Sequence, residues 1–221
     1  MFIEDLTNLF SKHANAENAF HMKKYMRGQF EFFGIKTKER RALLKQAIKN
    51  NKEEVTTNVR ELTLQLYKLP QREFHHSANE IFDKQLRKKY LKSDITLIEK
   101  LITTNSWWDT VDFIAKWILG SYLTLYPEMV KKTVTRFSNV DNMWLNRSTI
   151  IFQLSYKQNT NEELLFKQCI AHKVSNEFFI QKAIGWALRE YGKTNPQSVL
   201  NFVNSTCLKP LSHREAIRNI V

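Results

Sequence analysis

The stretch SWWDTVDFIAKW, residues 106–117, decides how the chain reads. Two adjacent tryptophans lead into apolar residues at helical spacing, and three other stretches align with it: REFHHSANEIF (72–82), NMWLNRSTIIF (142–152) and EFFIQKAIGWA (177–187). Their aromatic anchors Phe74, Trp108, Trp144 and Phe179 lie 34, 36 and 35 residues apart. A period of this size marks an α-solenoid of HEAT-like or armadillo-type repeats, in which each unit buries its apolar face against the next. A helical bundle with chance spacing is the plainer alternative. The expected fold is therefore all-α, a single helical-repeat domain over residues 1–221, with a basic concave face able to hold a rod such as duplex DNA.

Composition agrees. The chain has 221 residues, 43% hydrophobic and 25% charged, which suits a globular protein with a sizeable core. Five glycines and four prolines are too few for the many tight turns of an all-β sandwich or barrel. The net charge of +12 points to nucleic acid or another polyanion. No apolar run approaches the roughly 18 to 20 residues of a membrane helix. Glu4 and Asp5 stand where a secretory signal would be basic and then apolar, so a cytoplasmic, nucleoid-associated protein is expected. Cys169 and Cys207 are far apart and read as free thiols. The adjacent His75 and His76 diverge by about 100° on a helix and make a poor ligand pair, so no metal site is expected. The absence of heptads leaves a monomer as the default.

Helix starts are legible at several points. Pro70, Pro127 and Pro196 suit first helical positions, and Pro210 marks a further break. Ser106 with Asp109, and Ser212 with Glu215, have the spacing of capping boxes.

Three helices then carry a residue at odds with its surroundings. Around 177–193, Ile180, Ile184, Ala187, Leu188 and Tyr191 form the apolar side, while Lys182, Trp186, Arg189 and Lys193 fall within about 60° of one another opposite it. An aromatic surface on a phosphate-tracking ridge is one reading, and a packed Trp under basic stems is the other. In the helix beginning at Ser106, Asp112 points away from the apolar side, one turn beyond Trp108. A carboxylate on a surface that binds an anion needs a reason, and chemistry on a cation supplies one. In the helix near 142–157, Arg147 projects from a side that also carries Met143, Ile150, Ile151 and Leu154. It lies one repeat after Asp112. Either the two form a salt bridge, or Arg147 grips a backbone phosphate and leaves Asp112 free to act. The enzymatic reading is tied to the second case.

The segments MKKYMRGQFEFFGIKTKERR (22–41), SWWDTVD (106–112), NMWLNRS (142–148), YKQ (156–158), EELLF (162–166) and EFFIQKAIGWALREYGKTNP (177–196) resemble the AlkD-like DNA alkylation repair family, which are HEAT-like-repeat DNA glycosylases. The resemblance runs from about Tyr25 to the last helix. It implies removal of cationic N3- or N7-alkylpurines from double-stranded DNA by breaking the N-glycosidic bond, without metal or redox cofactor or obligate protein partner, leaving an abasic site. By motif it makes Asp112 the catalytic carboxylate, Trp108 and Trp186 the aromatics facing the lesion's sugar and backbone, Tyr25 a further contributor, and Arg147 the phosphate-contacting arginine. Thr37, Arg40, Lys157, Lys182, Arg189, Lys193 and Arg214 are the expected backbone-binding residues, giving affinity without sequence readout. A non-catalytic helical module for distorted or branched DNA is the rival reading, and a scaffold for acidic protein partners is a third.

Overall fold

The computed structural model describes residues 1–218 and 220. It is all-helical, and the chain divides into two compact units, Met1–Lys89 and Tyr90 to the C-terminus.

The first unit is built from α1 (Phe2–Lys12), α2 (Ala16–Tyr25), α3 (Thr37–Asn50), α4 (Lys52–Thr57), α5 (Val59–Tyr67) and α6 (Arg72–Leu86). In α1 the residues Phe2, Leu6 and Phe10 recur every four positions, so they share one face, and all three are buried. The Phe10 ring meets Phe33 and Phe74 at centroid distances of 5.8 and 5.4 Å, in the T-shaped and tilted arrangements that aromatic quadrupoles favour. The segment between α2 and α3 is tied down by the buried carboxylate of Glu73. It accepts hydrogen bonds from the backbone N–H groups of Phe33, Gly34 and Ile35 at 3.2, 2.9 and 3.2 Å. Gly34 sits at φ 86°, and a Cβ there would come within 2.1 Å of the Asn15 carbonyl oxygen. Only glycine fits this approach of loop to helix.

The second unit comprises α7 (Asp94–Thr103), α8 (Trp108–Phe113), α9 (Gly120–Leu125), α10 (Val130–Asn139), α11 (Met143–Ile151), α12 (Glu162–His172), α13 (Phe178–Gly192), α14 (Pro196–Ser205) and α15 (Pro210–Ile217). A π-helical segment, Ile114–Leu119, joins α8 to α9 without a break. Such wide turns re-aim the side chains on either side and are frequent at functional sites. The helix α13 packs against α11, α14 and α15, and Ile180, Ile184, Leu188, Ile150, Val199 and Val203 belong to one core.

The repeat anchors all fall at helix starts. Phe74 is the third residue of α6, Trp108 the first of α8, Trp144 the second of α11 and Phe179 the second of α13. That register is consistent with helical repeats of about 35 residues. Pro196 opens α14 as expected, Pro127 opens a short 3₁₀ turn, and Pro210 also occupies a first helical position. Pro70, in contrast, precedes α6 by two residues. Neither capping box forms. The Ser106 hydroxyl donates back to the Ile102 carbonyl and α8 starts at Trp108. Ser212 donates to the Gln181 carbonyl and Glu215 is drawn into ion pairs, because both lie inside α15 and face α13. The helix expected over 142–157 ends at Ile151, and Lys157–Asn159 form a separate 3₁₀ turn.

Candidate active site

The second unit brings together residues from three successive anchor-bearing helices. Asn142 caps α11, its side-chain oxygen accepting from the N–H groups of Trp144 and Leu145, both at 3.1 Å. That cap fixes the first turn from which Arg147 projects. Arg147 is buried, with 4% of its surface exposed. Its guanidinium reaches α8: Nε donates to Asp112 Oδ1 at 2.7 Å and Nη2 to Asp112 Oδ2 at 2.9 Å. Nη1 donates to the Phe179 carbonyl at the start of α13. The two parallel bonds are the fork-to-fork geometry in which an arginine fixes a carboxylate's plane as well as its charge.

Asp112 is not left free: Arg147 takes the salt-bridge alternative weighed for it rather than standing open to a phosphate. Three of the guanidinium's five N–H donors are committed inside the protein, and burial removes the rest from easy reach of a backbone. The helices bearing the two residues stand at contact distance, and a buried guanidinium without a partner would be costly, so the pair forms. Asp112 keeps 18% of its side chain exposed. Burial pushes its carboxyl above the ordinary aspartate value, Arg147 offsets only part of that, and the Asp109 charge pushes in the same direction as burial.

An aromatic wall stands beside the pair. Trp107, Trp144 and Phe179 meet at centroid distances of 5.9, 5.3 and 5.1 Å, and the Arg147 guanidinium lies 5.9 Å from the Phe179 ring centre. Sequence reasoning picked out Trp108 and used Trp144 and Phe179 only as repeat markers. It missed Trp107, although the doubled tryptophan was a visible signal. Trp108 is half-buried at the start of α8, and Trp186 is half-buried and packs against the core of this unit from α13.

The basic stripe of α13 is paired with acids. Lys182 and Arg189 both reach Glu215 of α15, at 3.1 and 2.7 Å, and Lys193 reaches Glu190 at 2.7 Å. The Lys182 and Arg189 charges hold the Glu215 carboxyl below the ordinary range, outweighing the burial that would raise it. Gly185 makes this contact possible, since a Cβ there would sit 2.4 Å from that of Glu215. Lys157 and Lys193 line one cavity of about 210 Å³, and Arg214 is exposed on α15.

In the first unit, Tyr25, Thr37 and Arg40 line one cavity of about 370 Å³. Tyr25 is 71% exposed and Thr37 is exposed at the start of α3. Arg40 is a second correction. It is buried, donating to Ser77 Oγ at 3.3 Å and to Glu80 Oε1 at 2.7 Å, so it is a core ion pair and not a cation offered to DNA. The pattern KTKERR places four cations in six residues, and only the tertiary contact shows which of them turns inward.

Among the described residues no group of histidine, cysteine, aspartate and glutamate side chains could hold a metal ion, and no helix is long and apolar enough to cross a membrane. Cys169 is buried and Cys207 exposed.

A search among curated proteins finds no match. The structure of a "Predicted DNA alkylation repair enzyme from Enterococcus faecalis" is 34% identical, with a TM-score of 0.85 over 93% of this chain and 96% of that one. The family profile described as DNA alkylation repair enzyme matches residues 6–220. The chain therefore belongs to the DNA alkylation repair enzyme family.

Proposed function

We propose that the protein is a monofunctional DNA N-glycosylase acting on cationic N3- and N7-alkylpurines, such as 3-methyladenine and 7-methylguanine, in duplex DNA. The observation that carries the reading is the Asp112 carboxylate, fixed by Arg147 beside an aromatic wall and still partly open to solvent.

An alkylpurine already carries a positive charge, so it leaves without being protonated. The C1′–N bond breaks, its electron pair neutralises the base, and the sugar becomes oxocarbenium-like. Water then adds at C1′ and gives up a proton, leaving an abasic site. Asp112 opposes the developing charge and orients, or takes the proton from, that water. The pairing with Arg147 removes the free carboxylate to which the sequence tied an enzymatic reading, so the chemistry proposed here has to work through a paired one. Each carboxylate oxygen has two lone-pair directions and the fork uses one of each. A sugar cation approaching from the far side is nearer the carboxylate than the guanidinium. At twice the distance the guanidinium cancels only about half of the attraction. In exchange the arginine offsets part of the burial that disfavours the ionised form and holds the carboxylate aligned, which is the preorganisation that electrostatic catalysis needs. The aromatic faces favour the same cation. No cofactor is called for, since the leaving group is already activated. Thr37, Lys157, Lys182, Arg189, Lys193 and Arg214 would grip the backbone, and the basic concave face belongs to this proposal.

One observation favours a second reading. Arg147 is committed on three sides, to both Asp112 oxygens and to the Phe179 carbonyl, as in a strut that locks three helices together. The protein would then be a helical module that binds distorted duplex without breaking a bond. Incubation with N-methylated duplex DNA separates the two. The glycosylase releases 7-methylguanine and 3-methyladenine, and Asp112→Asn loses on the order of 10²- to 10³-fold in rate with duplex affinity retained. A wild-type protein that releases no base leaves only the binding module.

A further inference from the structure

We propose that the cavity bounded by α11, α12 and α13 is a seat for one backbone phosphate of the duplex, and that Glu190 fills the phosphate's place while the protein is free. The inference rests on the reading of this protein as a duplex-DNA binder.

The mouth of the cavity is formed by Lys157, Gln158, Glu190, Lys193 and Thr194, over an apolar floor that includes Ile150 and Ala187. Four of these five side chains can donate hydrogen bonds, and one can only accept them. That one, Glu190, is bound by Lys193, whose Nζ lies 2.7 Å from its Oε2. A carboxylate and a phosphodiester present the same thing to an ammonium group: a negatively charged oxygen. A lysine that holds one in this geometry can hold the other.

Glu190 is poorly placed for any other purpose. It lies in the last turn of α13, where the helix dipole disfavours an anion, and the lysine three residues on supplies its compensation. Its side chain is 34% exposed and that of Lys193 58%, so the partners can separate without unpacking the core. Lys157 approaches the same cavity from a backbone φ of 53°, a left-handed conformation that lysine seldom adopts and that the surrounding structure must enforce. On binding, the phosphate takes Lys193, Lys157 closes on the same oxygens, and Glu190 swings to solvent. The carboxylate thus tempers the affinity of this end of the basic stripe.

The test is duplex binding of the full chain at a series of salt concentrations, for wild type, Glu190→Gln, Lys193→Gln and the double variant, on undamaged DNA. Glu190→Gln is expected to tighten binding about 2- to 5-fold, the size of one exposed ion pair. It should also steepen the plot of log affinity against log salt by about 0.9, because one more cation is displaced when no carboxylate is left to recruit it. Lys193→Gln is expected to weaken binding, and the gain from Glu190→Gln should vanish in its background. An unchanged slope in Glu190→Gln, or a gain that survives intact without Lys193, overturns the proposal, since a long-range field would act with or without that lysine. Inorganic phosphate titrated at constant ionic strength is expected not to compete. Competition would assign the seat to a free phosphate ion and overturn the assignment to DNA. If the wild type shows no salt-dependent duplex binding at all, the functional reading itself fails, a result distinct from indifference to Glu190→Gln.

Discussion

Each unit buries an arginine against a carboxylate carried on another helix, 40 residues on in the first unit and 35 residues back in the second, and the two pairs are built differently. In the first unit Glu80 meets two arginines, Arg40 at 2.7 Å and Arg41 at 2.8 Å, both on the same oxygen, while its Oε2 is buried without a hydrogen-bond partner. Burial alone would raise the Glu80 carboxyl, and the charges and hydrogen bonds of Arg40 and Arg41 more than reverse this, holding it below the ordinary range. In the second unit Asp112 meets one arginine, uses both oxygens, and has Asp109 as a like-charged neighbour; burial prevails and its carboxyl is raised. An excess of cations makes a carboxylate inert and structural. A single cation, a nearby acid and a partly open face leave one poised. Under the proposed function the contrast favours Asp112 over Glu80 as the reactive carboxylate.

The largest effect should come from breaking that asymmetry at the carboxylates themselves. Asp112→Asn is expected to lower the rate of 7-methylguanine release by at least about 10²-fold. Glu80→Gln should leave the rate per folded molecule within about 2-fold of wild type, the scatter of surface-level electrostatics. Base release under single-turnover conditions, with folded fraction measured in parallel, checks both. Equal losses in the two variants would erase the distinction.

Next comes stability. Arg40→Ala leaves Glu80 buried with only the exposed Arg41 beside it, and should cost about 3 kcal/mol, as breaking a buried pair does. Chemical denaturation reads this directly.

How much of this contrast was legible beforehand differs between the two units. Asp112 and Arg147 stood out because each was a charge on a helix whose apolar side could be traced. The 35-residue gap between them even suggested the pair. Sequence could not choose between pair and phosphate contact, because that depends on the distance between two helices, and periodicity along one helix carries no such information. Arg40 gave no signal at all, being one cation among neighbours of its kind. Serine and carboxylate spacing misled at Ser106 and Ser212, where tertiary partners outbid the local cap. The π-helical turn at Ile114–Leu119 has no propensity signature, so the aim of Asp112 just before it was beyond reach of a 100° wheel.

Acidity should drive the two pairs in opposite directions. The folded-state value of Glu80 is depressed, so its contribution to stability is complete above the ordinary glutamate range and is lost as pH falls through the lowered value. Thermal melts of wild type and Glu80→Gln should therefore converge as pH drops through that window. For Asp112 the value is raised, so its ionised form is penalised at neutral pH, and the penalty is relieved as pH falls through it. The proposed activity needs the ionised form. Base release should decline with acidity starting above the ordinary aspartate range, at a pH where the Glu80 pair is still intact. An activity profile flat through that range would remove Asp112 from the rate-determining step.

The smallest effect tests how each arginine's helix is held. The helix carrying Arg147 has a side-chain cap from Asn142, whereas α3, which carries Arg40, has Lys36 at its N-cap position and no side-chain cap. The difference follows from where the alignment matters. Arg40 is gripped by Ser77 and Glu80 inside a core, so a frayed first turn of α3 leaves it in place. Arg147 is the fifth residue of α11, and its fork on Asp112 depends on the direction of that first turn. Asn142→Ala should cost about 1 kcal/mol of stability. Lys36→Ala should cost almost nothing, since it removes no capping bond. The sharper readout is the proposed activity. Asn142→Ala should also slow base release, by misaligning a pair whose geometry it does not touch. If stability falls and the rate per folded molecule does not, then the cap serves the fold alone, and Asp112 is held by Arg147 without help from the helix start.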